Sequence, residues 1–295
     1  MSIIGRFAPS PTGPLHRGSL VAAVGSWLFA RAAGGLWLVR MEDLDTPRLV
    51  PGADREILAA LRLYGLEWDG EVVYQSQRIA LYEDALRRLR ERGAVFDCGC
   101  SRAELQRAAS APAASDPQER IYPGTCRDGL APGRPPRAIR FRAPAEVIAF
   151  DDLVVGHVEE NVANETGDFV VKRADGVFAY QLAVVVDDAA QGVTQIVRGA
   201  DLLSSTARQI ALQRALGVPT PVYGHVPLVV DELGNKIGKR DGALPLPLLD
   251  ESRVRSTLAD ALKTLGFEVA PAKPEKMLAD AISLLKAREN ERPPA

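Results

Sequence analysis

SIIGRFAPS (residues 2–10) opens on an apolar run too short for a helix, which predicts a buried strand running into a loop. HRGSLVAAVGSWLFARAAGG follows with apolar positions at helical spacing and stops at Gly34 and Gly35. LWLVRMED is a second apolar run of strand length. ADREILAALRLYG and SQRIALYEDALRRLRERG are amphipathic, and each closes on a glycine, which readily ends a helix. The order strand, helix, strand, helix, helix predicts an α/β fold, a parallel sheet with covering helices.

The pattern changes near residue 95. VFDCGCSRAELQRAA predicts a short strand, a cysteine pair and a helix start, with Ser101 and Glu104 at capping-box spacing. SAPAASDPQERIYPGTCRDGLAPGRPP is rich in Pro, Gly, Ala and Ser and reads as irregular loop. RAIRFRAPAEVIAFDDLVVGHVEENV reads as short strands, so residues 95–165 are expected to form an inserted α+β subdomain. DFVVKRADGVFAYQLAVVVDD places two apolar runs around Asp175-Gly176, the signal for a β-hairpin. GVTQIVRGADLLSSTARQIALQRALG returns to strand then helix, HVPLVVDELGNKIGKRDGALPLP reads as strand, turn and basic loop, and two helices close the chain. No internal repeat is visible.

Composition changes this picture little. The 295 residues are 46% hydrophobic and 25% charged, enough to bury a sizeable core. The net charge of −2 carries no global nucleic-acid signature, although a local basic face stays open. The N-terminus lacks the charged-then-apolar layout of a signal peptide, and no apolar stretch of about 18 residues occurs. A soluble, cytoplasmic monomer is the expectation. Cys98, Cys100 and Cys126 are an odd, clustered set, poor as a disulfide framework and suited to a reducing compartment or a metal.

The candidate chemistry starts at RFAPSPTGPLHRGSL. A strand ending in a glycine-bearing loop that opens a helix can present free N–H groups and a partial positive charge to a phosphate. Gly13 and Gly18 allow close approach, His16 and Ser19 add donors, and the prolines stiffen the loop. The stretch is neither a Walker loop nor a GxGxxG fingerprint, and by itself an ordinary Pro/Gly loop would read the same way.

The same stretch resembles the HIGH signature region of class I aminoacyl-tRNA synthetases, with HRGS (16–19) at the signature, and its wording is similar to the glutamyl and glutaminyl enzymes. VRMEDLDTPR (39–48) and FAYQLAVVVDDAAQGVTQIVRGADLLSSTARQIAL (178–212) match further segments of that subfamily, and KIGKR (236–240) stands where the KMSKS loop belongs. Four segments in family order cover roughly residues 3–242.

The resemblance implies a Rossmann-like catalytic domain split over 1–94 and 166–235, an insertion over 95–165, and a KMSKS-like loop with C-terminal helices over 236–295. It implies a ligase that joins an amino acid to ATP, giving an aminoacyl-adenylate, and passes the acyl group to RNA. Such a displacement needs positioning and charge stabilisation more than a covalent nucleophile. His16, Lys236 and Lys239 are then the catalytic candidates. His16, Gly18, Ser19 and Lys239 would bind ATP, with Mg2+ accompanying it. Arg6, Ala8, Ser10, Glu42, Tyr180 and Arg198 would bind L-glutamate, with Glu42 on the ammonium and the arginines on carboxylates. Asp43, Asp45, Asp187 and Asp188 would hold the fold or the ribose region. The sequence departs from KMSKS where Gly238 and Arg240 replace the serines. Weaker ATP affinity with activity retained is expected; Gly238→Ser should lower the ATP KM, and an unchanged or higher value would overturn this.

Spacing alone leaves the cysteines open between a zinc site and three buried thiols, since zinc usually takes four ligands. CGC…IYPGTC is similar to the zinc knuckle of glutamyl-Q tRNA(Asp) synthetases, which implies Tyr122 as fourth ligand to a structural Zn2+ with Cys98, Cys100 and Cys126; Asp97 and Asp128 are the competitors. Only about fifty-five residues follow Lys239, fewer than an anticodon-binding region needs. With the knuckle, this implies transfer of glutamate to the queuosine base in the anticodon loop of tRNA(Asp). A 3′-end glutamyl-tRNA synthetase and an inactive binding module are the alternatives.

Overall fold

The computed structural model describes residues 2–108, 121–229 and 244–291. Strand β1 (Ile4–Phe7) leads into helix α1 (Arg17–Ala32), then β2 (Leu36–Met41), α2 (Ala53–Leu63), β3 (Val73–Tyr74) and α3 (Ile79–Glu91). β1 and β2 are parallel, with Phe7 opposite Val39, and β2 is parallel to β3. This half is the alternation that the apolar pattern predicts, apart from the two-residue β3, which is too short to show a period.

The middle of the chain holds β4 (Val95–Cys98), α4 (Arg102–Ala108), β5 (Ala138–Phe141), β6 (Ile148–Asp152), β7 (Gly156–Glu160), α5 (Val162–Glu165) and β8 (Phe169–Lys172). Next come α6 (Tyr180–Ala190), β9 (Gln195–Gly199), α7 (Thr206–Leu216), β10 (Val222–Val226), α8 (Glu251–Thr264) and α9 (Pro274–Glu291). β4, β5 and β8 form an antiparallel sheet. β6 and β7 instead extend a sheet of order β7-β6-β10-β9, in which β10 is parallel to both β6 and β9. Residues 95–165 therefore contribute strands to both sheets.

The hairpin expected around Asp175-Gly176 forms only as a turn. Arg173 N–H donates to Val177 O (2.8 Å), and Phe178 bridges Lys172. The second apolar run is α6, not a strand. Its Leu182, Ala183, Val184 and Val185 are buried in one core, so packing overrides the strand preference of the valines.

β1 runs beside β9: Thr194 N–H donates to Ile4 O (3.0 Å), and Ile4 N–H to Thr194 Oγ1 (2.9 Å). The two parallel sheets thus lie side by side, meeting at β1 and β9, where the chain order breaks. Successive residues of β9 feed opposite cores. Val197 joins the core of α1, α2, α8 and α9, and Ile196 joins that of α3, α6 and α7. This two-sided burial is the mark of a doubly wound sheet. Ligands in such folds sit beyond the carboxyl ends of the strands at the switch point. Among the described residues no helix is long and apolar enough to cross a membrane.

Candidate active site

His16 is the N-cap of α1. Its Nδ1 accepts from Ser19 N–H (3.3 Å), and Ser19 Oγ accepts from His16 N–H (2.7 Å). This reciprocal pair caps and fixes the positive end of the helix, whose first turn contains no acidic side chain. Gly13 adopts φ 127°, a conformation that strains any side-chain-bearing residue, so the loop's turn requires glycine there. The chain returns to this loop at Pro245, which bridges His16, and Leu246 N–H donates to Leu15 O (3.0 Å). Lys236 and Lys239, together with Gly238 and Arg240, lie outside the described residues.

Beyond the strand ends the charged side chains converge. Arg6, on β1, is buried and donates from Nε and Nη2 to the two oxygens of Asp188 (3.1 and 3.4 Å). Arg40, on β2, is fully buried, and its Nη1 donates to Asp188 Oδ1 (2.7 Å) and Gln191 Oε1 (2.8 Å). Its Nη2 donates to Glu42 Oε1 (3.3 Å). Asp187 accepts from Gln75, Arg78 and Tyr82 at 2.6–2.8 Å. The two aspartates are thus spent on holding α6 against β1, β2 and α3.

Charge balance makes this burial tolerable: Arg6, Arg40 and Arg78 face Glu42, Asp187 and Asp188. Burial lowers the tendency of Arg40 to stay charged, but Asp188, Glu42 and Asp187 more than offset it. Burial likewise raises Asp188, and Arg40 and Arg6 outweigh it and hold the carboxylate below its usual range. Glu42 goes the other way: burial pushes its carboxyl up despite Arg40. An incoming cation beside Glu42 would oppose that rise and favour the ionised carboxylate. Glu42 is tied in place, its N–H donating to Pro9 O (2.9 Å) between Ala8, which is half-buried, and the exposed Ser10.

Tyr180 opens α6, and burial raises its hydroxyl, with Arg198 opposing and Glu42 and Arg6 also within electrostatic reach. Arg198, on β9, is buried, and Nη1 reaches Tyr180 Oη at 3.5 Å. The six residues expected to bind the amino acid therefore lie along the carboxyl ends of β1, β2 and β9 and the start of α6. Arg40, with no local motif, was missed. A charge inside the apolar run LWLVRM was its one visible signal, since such charges are buried only when paired.

The cysteines form a second cluster. Their sulfurs lie within 4.8 Å of one another, with Cys100 and Cys126 at 3.6 Å. Tyr122 Oη stands 3.5 Å from Cys98 Sγ and 3.7 Å from Cys100 Sγ, and accepts from Cys126 N–H (2.8 Å). A tetrahedral zinc with bonds of about 2.3 Å to sulfur and about 2.0 Å to oxygen needs ligand separations of about 3.5–3.8 Å. The spacing fits. Among the described residues no carboxylate joins the group, and Asp97 pairs instead with Arg90 (2.8 Å). Arg140 lies 4.0 Å over the Tyr122 ring and donates to Cys98 Sγ (3.4 Å), so this arginine faces the cluster and not solvent.

The family model for the catalytic domain of class I tRNA synthetases (E and Q) matches residues 2–286. The chain is 62% identical over 244 residues to the glutamyl-Q tRNA(Asp) synthetase of Geobacter sulfurreducens, covering 83% of this chain and 77% of that one. It is 56% identical over 279 residues to the protein of the same name from Thiobacillus denitrificans, covering 93% and 90%. The chain belongs to the glutamyl-Q tRNA(Asp) synthetase family of class I synthetases.

Among solved structures, this family member is similar to a glutamate tRNA ligase from Elizabethkingia meningosepticum in complex with its amino acid, at 26% identity and TM-score 0.77, covering 96% of this chain and 64% of that one. A glutamate-tRNA synthetase from Elizabethkingia anophelis matches at 29% and TM-score 0.71, covering 82% and 53%. The chain thus spans between half and two thirds of those solved chains. The class I family and the parallel-sheet fold implied by the four motif segments are those found here.

Proposed function

We propose that this chain activates L-glutamate with ATP and transfers the glutamyl group to the queuosine base at the wobble position of tRNA(Asp). The observation that carries the first step is the convergence of Arg6, Glu42, Tyr180 and Arg198 beyond the same strand ends that lead to the α1 N-terminus. The acceptor rests on the printed names of the relatives. Glu42 takes the substrate ammonium. At least one of Arg6 and Arg198 holds the side-chain carboxylate, because the α-carboxylate must stay free to attack. Ala8 and Ser10 border the amino acid, and Tyr180 orients it.

The α-carboxylate oxygen attacks the α-phosphorus, and pyrophosphate leaves. His16, Gly18 and Ser19 form the helix start presented to the phosphates, and Lys236 and Lys239 supply the opposing positive charge, with Mg2+ carried by ATP. An acceptor hydroxyl then attacks the anhydride carbonyl, and AMP leaves. Cys98, Cys100, Tyr122 and Cys126 would hold a zinc ion, which ties β4 to the loop before β5. These groups come from one chain, so a monomer suffices.

The test uses labelled glutamate, ATP and tRNA(Asp) whose 3′-terminal ribose lacks both hydroxyls. Label on the queuosine-bearing tRNA, and none on tRNA with unmodified guanosine at that position, is the expected result. Label that requires an intact 3′ end would move the acceptor to the acceptor arm. Absence of glutamate-dependent ATP–pyrophosphate exchange would leave a binding module.

A further inference from the structure

Arg198 sits in a cage that uses nearly all its donors. Nη1 donates to Gln209 Oε1 (2.8 Å), and Nη2 donates to Thr206 Oγ1 (2.8 Å) and Leu202 O (3.2 Å). Nε donates to His225 Nε2 (3.1 Å). The contact of Nη1 with Tyr180 Oη is the longest at 3.5 Å, so that edge is the one available to a carboxylate. An arginine has five donors and no acceptor, so the cage decides which edge faces the substrate.

His225 lies on β10 and is 1% exposed. Because Arg198 must donate to it, Nε2 presents its lone pair and the ring proton sits on Nδ1. That proton goes to Asp152 Oδ2 (2.6 Å), at the end of β6. Asp152 is fixed in turn: Oδ1 accepts from the N–H groups of Val154, Val155 and His225, each at 3.0 Å. Burial raises the Asp152 carboxyl, yet the His225 and backbone hydrogen bonds outweigh this and hold it at about 2. Three adjacent strands, β6, β10 and β9, therefore pass one orientation across the sheet. Nothing in the proposed glutamate reaction uses Asp152 or His225 otherwise.

We propose that His225, oriented by Asp152, is a positioning residue that aims Arg198 at the amino-acid carboxylate. This rests on the reading of Arg198 as a glutamate ligand. Removing the acceptor strands the buried Arg198 Nε–H and lets the guanidinium turn. Gln at position 225 can place an amide oxygen near the Nε2 site; Leu cannot.

The experiment compares the wild-type chain with His225→Leu and His225→Gln in glutamate-dependent ATP–pyrophosphate exchange. His225→Leu is expected to raise the glutamate KM about tenfold or more, with the ATP KM within about twofold, and His225→Gln to recover most of the loss. Equal shifts in both KM values, or none, would overturn the proposal. Nitrogen-15 spectra of the wild-type imidazoles, of which the chain has only three, supply a second reading that needs no variant to fold. A protonated Nδ1 and bare Nε2 for His225 is expected; a protonated Nε2 would sink the idea. A wild-type chain with no exchange on glutamate would fail the activity reading instead, and the spectra would still judge the Asp152–His225–Arg198 chain.

Discussion

Arg198→Lys is expected to lower kcat/KM for glutamate by about a hundredfold or more, while the ATP KM stays nearly unchanged. Lysine keeps the charge but not the fork, and cannot serve His225, Gln209, Thr206 and Leu202 together. Steady-state exchange kinetics at varied glutamate and varied ATP separate the two constants. Arg87→Ala, on the exposed face of α3, is the control and should change neither. A glutamate KM within twofold of wild type in the Arg198→Lys chain would remove Arg198 from the binding site. Thermal unfolding of both variants guards against a general loss of fold.

The purified chain is expected to carry one zinc ion, and Cys98→Ser or Cys126→Ser to lose it. The core around these residues is small, made of Phe96, Cys98, Tyr122 and Cys126, with Cys100, Leu105 and Leu130 packed against it. Three of its four buried members are the proposed ligands themselves, so little apolar packing remains when the metal leaves. The unfolding midpoint should fall by roughly 10 °C, at about 2–4 °C for each kcal/mol in a domain of this size. Tyr122→Phe keeps the ring beneath Arg140 and deletes one ligand, so it should retain zinc more weakly than wild type. Elemental analysis and calorimetry check both. A wild-type chain free of metal, with a midpoint indifferent to a chelator and to Cys98→Ser, would defeat the zinc assignment.

Arg40 and His225 show how far short-range pattern reaches. The alternation that predicts β1, α1, β2, α2 and α3 depends on neighbours within one or two turns, and those elements stand where expected. So do the capping box at Ser101 and Glu104 and the closing helices. The RFAPSPTGPLHRGSL loop was also legible, because its glycines and prolines act on their own backbone. Failure came where distant packing outvoted a local preference. The valines of α6 would suit a strand, but a buried face against α3 and α7 makes them helical. β6 and β7 gave no local sign that β6 would pair with β10 in the larger sheet.

Residue types and motif order were therefore enough for the α/β class, the candidate glutamate and ATP residues, and the cysteine cluster as a possible metal site. Tertiary structure alone brought Arg6 to Asp188 across 182 residues, Arg40 to Asp188 across 148, and His225 to Asp152 across 73. Tyr122 was already implied by the resemblance; the structure sets its hydroxyl beside the sulfurs of Cys98 and Cys100, with no carboxylate among the described residues joining the group. The reason is physical. Periodicity records which face of an element is dry, whereas a buried charge is stable only when every opposing group in the low-dielectric interior is in place, and those groups come from strands far apart in the chain.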